Sequence, residues 1–153
     1  MRAAAILLLC VAAVLPAHGE GTVGNAAYAA GDYATAYEQW LVRAEEGSAQ
    51  AQFNLGRLYG QMGDPGRQRE MWEAAITSNP DFARGYYYLA KLLMDRDDDL
   101  GRAEELARRG IDKDPEGHAG PLGYFVLADL LNRTGRPAQA QEALEKGRAI
   151  QID

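Results

Sequence analysis

The chain has 153 residues, 47% hydrophobic and 25% charged, proportions that fit one soluble globular domain with a sizeable core. Its formal net charge is −6 and its Arg residues are interleaved with Asp and Glu, so it lacks the clustered cations that nucleic-acid binding requires. One cysteine, Cys10, rules out a disulfide framework.

In chain order, the first element reads as a targeting signal. Arg2 precedes an apolar run from Ala3 to Leu15, and Pro16-Ala17-His18-Gly19 places small residues where a signal peptidase inspects them. Residues 1–19 are therefore expected to be a cleavable signal peptide, removed before Glu20. The run is too short for the roughly 20 residues of a permanent membrane helix, so no integral membrane segment is expected after cleavage. Cys10 lies inside it, where Leu7-Leu8-Leu9-Cys10 loosely resembles a lipobox. Bulky Leu9 stands where such a motif wants a small residue, and Cys10 reads instead as a small hydrophobe of the signal core.

Beyond the signal the sequence repeats at intervals of about 34 residues. In the unit 49–82, Leu55 and Gly56 are followed by Tyr59, Trp72, Ala75 and Pro80. The unit 83–117 carries Tyr86, Leu89, Ala90 and Leu93, then Ala103, Ala107, Gly110 and Pro115, with one extra residue in its Asp-rich turn. After the spacer His118-Ala119-Gly120, the unit 121–153 shows Tyr124, Leu127, Ala128, Leu131, Gly135, Ala140, Leu144 and Gly147. An earlier unit, about 20–48, is recognisable mainly by its second helix, through Gly31-Asp32-Tyr33, Ala36, Trp40 and Ala44.

Spacings of three and four put Tyr86, Leu89, Ala90 and Leu93 on one helical face. Small residues at Gly56, Ala90 and Ala128 admit a close second helix, and Trp40 and Trp72 fill the wedges between hairpins. Gly31-Asp32 and Gly63-Asp64 end one helix and cap the next. Pro80 and Pro115 stop each unit. Helices are expected over about 33–46, 49–62, 65–78, 83–95, 99–113, 121–134 and 137–150, with 22–30 as an eighth that has the weakest pattern. No period-two run argues for a strand. The expected fold is all-α, a solenoid of stacked antiparallel helix pairs with about seven to eight helices, spanning residues 20–153.

The segment from Ala27 to Trp40, and Arg43-Ala44-Glu45-Glu46-Gly47-Ser48 running on through Phe53-Asn54-Leu55-Gly56 to Tyr59, closely resembles Sel1-like repeat proteins of bacteria. Those are tetratricopeptide relatives, often exported to the periplasm. The last two units look like ordinary tetratricopeptide repeats. The resemblance implies protein–protein interaction and a periplasmic or secreted location, and it names no partner.

Catalysis is not expected. Past residue 19 the chain has no Cys, one histidine (His118) and two serines (Ser48, Ser78), and both serines fall at expected helix ends. His118 has no companion at metal-ligand spacing. Asp95, Asp97 and Asp99 match the first ligand positions of a calcium loop. Leu100 and Leu106 then replace the glycine and closing glutamate such a loop needs, so the cluster reads as a turn with an aspartate N-cap. No metal and no cofactor are expected.

Stacked hairpins curve, and first helices line the concave side. Positions there that packing leaves free include Phe53, Asn54 and Arg57, then Arg84, Tyr87, Tyr88 and Lys91, then Phe125, Asp129 and Arg133. They read as an aromatic strip flanked by cations, the composition of an interface hot spot. Some tetratricopeptide domains clamp a C-terminal carboxylate, and Asn54 and Arg84 match two clamp positions while Tyr88 replaces an expected Arg. The expected function is a non-catalytic adaptor or scaffold that binds a partner peptide or helix in this groove. The alternatives are a self-assembling structural module of an envelope complex, dimerising through an uncapped end, and an envelope polysaccharide binder.

Overall fold

The computed structural model describes residues 20–150. The expected signal peptide and its cleavage point lie outside the described residues. Within them the chain forms α1 (Glu20–Ala29), α2 (Tyr33–Glu45), α3 (Ala49–Gln61), α4 (Pro65–Ser78), α5 (Ala83–Asp95), α6 (Leu100–Lys113), α7 (Leu122–Arg133) and α8 (Pro137–Ala149), with no strand. The fold is an all-helical solenoid in which α1–α2, α3–α4, α5–α6 and α7–α8 pair, and each pair stacks on the next.

Local chemistry sets these boundaries. Asp32, Ser48, Asp64 and Asp99 accept hydrogen bonds from the backbone N–H three residues on, at 3.1, 3.3, 3.0 and 2.9 Å. Each such cap is worth about 1 kcal/mol. Asp99 is thus a cap rather than the first residue of α6, and Leu100 opens that helix. Gly31, Gly63 and Gly135 end the preceding helices at φ of 80°, 75° and 75°, where a Cβ would be strained. In the Asp-rich turn that left-handed position is held by Asp97.

The first unit has a packed first helix among the described residues, so it survives as more than α2, and the helix of weakest pattern is present as α1. A Cβ on Gly24 would strike the Trp40 indole, as one on Gly56 would strike Trp72, so α1 seats on α2 as α3 seats on α4. The α1 sequence, rich in Gly and Ala, offers little apolar contrast to announce this.

Two apolar clusters share α3. Ala36 and Trp40 of α2 pack with Ala51, Leu55 and Leu58. Ala49 and Phe53 instead join the larger cluster that runs through Trp72, Tyr86, Leu89, Leu93, Leu106, Leu127 and Leu131 to Ala143. Along the second helices, ion pairs link neighbours: Arg102 donates to Glu73 at 2.9 Å, and Arg136 donates to Glu104 at 3.0 Å through one terminal amino group and more closely through the other.

Candidate partner-binding surface

The first helices lie side by side because side chains of each reach the next. Asn54 of α3 donates to Asn25 of α1 (3.1 Å), and Gln61 donates to the Tyr28 hydroxyl (2.6 Å). The Phe53 ring meets Tyr88 of α5 edge-on at 5.0 Å. Arg133 of α7 donates to the Met94 carbonyl of α5 at 3.0 Å. The row α1, α3, α5, α7 is therefore continuous.

Several residues expected on its open side are not there. Phe53 is 2% exposed, locked between Trp72, Phe82 and Tyr88. Tyr87 is equally buried, its ring resting where a Cβ on Gly110 or Gly123 would sit, and its hydroxyl donates to the Gly110 carbonyl at 3.0 Å. Burial, and then the adjacent Asp114 carboxylate, push that phenol well above the usual tyrosine range. Asn54 is buried too, and its amide is committed to Asn25 while it accepts from Gln50, which removes it from any carboxylate clamp. Tyr88 is half-buried against Phe53 and Trp72. The continuous aromatic strip does not form: the fifth position of each unit points into the seam between units. Phe125 occupies that position in the last unit. It lies over Gly147 and is 40% exposed among the described residues.

The polar members remain accessible. Arg57 is exposed, with its guanidinium 4.9 Å over the Tyr28 ring. Lys91 pairs with Asp95, and Arg133 pairs with Asp129 at 3.3 Å. Arg84 is exposed at the start of α5 and makes no ion pair or hydrogen bond among the described residues. The surface is thus cationic and polar, with aromatic character confined to Tyr28, Tyr88 and Phe125. Asn25 and Tyr28 are contributors that sequence reasoning missed. The repeat interval carried back from Asn54 and Arg57 falls more than a helical turn ahead of Asn25 and Tyr28, so it did not reveal them.

The residues weighed for chemistry have structural roles. Ser48 caps α3, and Ser78 is the exposed last residue of α4. Asp98 pairs with Arg69 at 3.2 Å. Among the described residues no three His, Cys, Asp or Glu side chains gather as metal ligands, and no helix is long and apolar enough to cross a membrane. The outward side of α8 shows Gln141, Glu145 and Arg148 to solvent.

Four stacked antiparallel helix pairs define an α-solenoid of the tetratricopeptide type. A tetratricopeptide repeat family model matches residues 49–82, the α3–α4 hairpin. Two crystal structures of MamA share the architecture. One superposes with a TM-score of 0.68 at 21% identity, over 84% of this chain and 74% of that one. The other has a TM-score of 0.58 at 15% identity, over 84% and 87%. At these identities the likeness is one of fold. No curated protein matches the chain.

Proposed function

We propose that this chain is a non-catalytic protein–protein interaction module, an adaptor or scaffold of the bacterial periplasm, that receives a partner segment across α1, α3, α5 and α7. The observation that carries the reading is Arg84, an exposed guanidinium without a partner among the described residues, in one row with Arg57, Lys91 and Arg133. A cationic row on a chain of net charge −6 selects an extended segment or helix with acidic side chains. Arginines that keep unused donors are the groups best suited to grip carboxylates. The tetratricopeptide match at α3–α4 supports the interaction role, and the apolar run at residues 3–15 supports export.

The test is a paired substitution, Arg57→Glu with Arg84→Glu, in the exported chain. Photo-crosslinking from position 84 in intact cells should yield discrete protein adducts, and the paired variant should lose most of them while keeping its helical circular dichroism. Adduct recovery unchanged by the charge reversal would refute this surface. Export is tested separately, by cell fractionation and N-terminal sequencing, with Glu20 the expected first residue.

A further inference from the structure

A second concavity lies between α2, α3 and the start of α4, and one of its walls, Tyr33, meets Tyr28 of the first-helix row at 5.5 Å. Tyr33 and Tyr37 of α2, Leu58 and Tyr59 of α3, Met62 just after it, and Arg67 of α4 line an open cavity of about 280 Å³. Its walls are unusual for this molecule, because Tyr33 is 42% and Met62 66% exposed while most large apolar side chains elsewhere are covered. Tyr37 and Tyr59 meet edge-on at 6.3 Å, and the Arg67 guanidinium lies 5.5 Å over the Tyr59 ring at the rim. Arg67 touches Asp64 only through Nε, at 3.5 Å, with both side chains largely in water. Such a pair contributes little. The terminal amino groups of Arg67 donate no hydrogen bond among the described residues.

The lining dictates what fits. Tyrosine rings and a thioether favour a flat aromatic group, through edge and face contacts and sulfur–ring contact. The volume is just below the range of drug-sized ligand pockets, enough for one substituted ring. Arg67 supplies the one permanent charge of the lining, a planar fork matched to a carboxylate and repulsive to an amine. We propose that this cavity binds an aromatic ring bearing a carboxylate. Two sources carry that chemistry: a free aromatic acid, or an aromatic residue beside an acidic one in a bound protein segment.

The experiment titrates the full chain with phenylacetate, phenethylamine and a blocked tetrapeptide containing Phe-Asp, following methyl and ring resonances by NMR. Phenylacetate should shift Met62 and Tyr59 with an affinity on the order of millimolar, the range open to a ligand of this size. Phenethylamine should shift neither. Arg67→Gln should weaken phenylacetate binding about tenfold, the usual worth of a charge-assisted contact. Tyr33→Ser, at an exposed position, should weaken it while leaving the helical spectrum intact. Tighter binding of the peptide than of phenylacetate assigns the site to a protein segment, and the reverse order assigns it to a free acid. The proposal is overturned if no acidic probe shifts Met62 and Tyr59, if the amine binds equally well, or if Arg67→Gln changes nothing.

Discussion

The carboxylate of Asp114, buried at the end of α6, accepts hydrogen bonds from the backbone N–H groups of His118 (2.8 Å) and Ala119 (2.9 Å) and lies 3.5 Å from the Tyr87 hydroxyl. It closes the loop between the third and fourth hairpins. Asp114→Ala leaves those N–H groups without an acceptor, and we expect a loss of about 1–3 kcal/mol in urea unfolding with the m-value unchanged. Nothing in Asp112-Lys113-Asp114-Pro115 singles out this acid from its neighbours, so its role was not legible in the sequence. The same holds for Tyr87. Periodicity places Tyr86, Tyr87 and Tyr88 around one helix, but only the two glycines at 110 and 123, supplied by different elements, decide that Tyr87 turns inward.

Glu104 gives a second prediction at this scale. Its hydrogen bond from Arg136, with a smaller contribution from Arg108, holds its carboxyl below the ordinary value of 4.5 despite partial burial. A carboxylate held down in the folded state stabilises above its unfolded pKa, and that stabilisation fades as pH falls through the lower folded value. Wild type should therefore exceed Glu104→Gln in denaturation midpoint at pH 7, and the gap should narrow progressively as pH falls below the ordinary value of 4.5. A gap that persists undiminished at pH 3 would contradict the assignment.

At the scale of elements, seven of the eight helices were readable because each carries both punctuation and periodicity: Asp or Ser caps, turn glycines, prolines at the ends, and apolar residues three and four apart. The α1 helix was the exception, since small residues give close packing without a strong pattern. Close packing is testable where it is tightest. A methyl on Gly123 would collide with the Tyr87 ring, which is buried and hydrogen-bonded at its tip. Gly123→Ala should cost about 1–3 kcal/mol, as overpacking does. Gly66, on the exposed side of α4, has only Asp64 Oδ1 near such a methyl, at 3.5 Å. Gly66→Ala should instead stabilise, by up to about 1 kcal/mol, through helix propensity. Thermal denaturation of the two variants should move in opposite directions.

For the molecule as a whole, the stacking order followed from the repeat interval, whereas the open surface did not. Which residues of a first helix face water depends on how far each hairpin rotates against the next, and an interval contains no such angle. Phe53 and Phe125 hold the same position in their units, yet one is sealed by Trp72, Phe82 and Tyr88 and the other is 40% exposed among the described residues. The second helix of the α7–α8 hairpin also differs at one position. Ile76 of α4 lies on Gly85 of the following unit, and Ile111 packs beside the core, while the corresponding place in α8 is taken by exposed Arg148. That charge puts a solvated group where the earlier units place isoleucine.

The division of apolar contacts at α3 has a dynamic consequence. The Trp72 indole N–H reaches the Phe53 carbonyl at 3.0 Å, whereas the buried indole N–H of Trp40 reaches no acceptor. The α1–α2 hairpin thus rests on a smaller, imperfectly bonded cluster, and we expect it to open more readily than the rest of the array. Amide exchange in α1 and α2 should run at least about tenfold faster than in α5 and α6, and mass spectrometry should show the array unzipping from this end. Tyr28, which seats Arg57, and Tyr33 and Tyr37, which wall the aromatic cavity, all ride on that hairpin. Whatever docks there would tighten a loose end as it binds, and its affinity would report how often the end is closed.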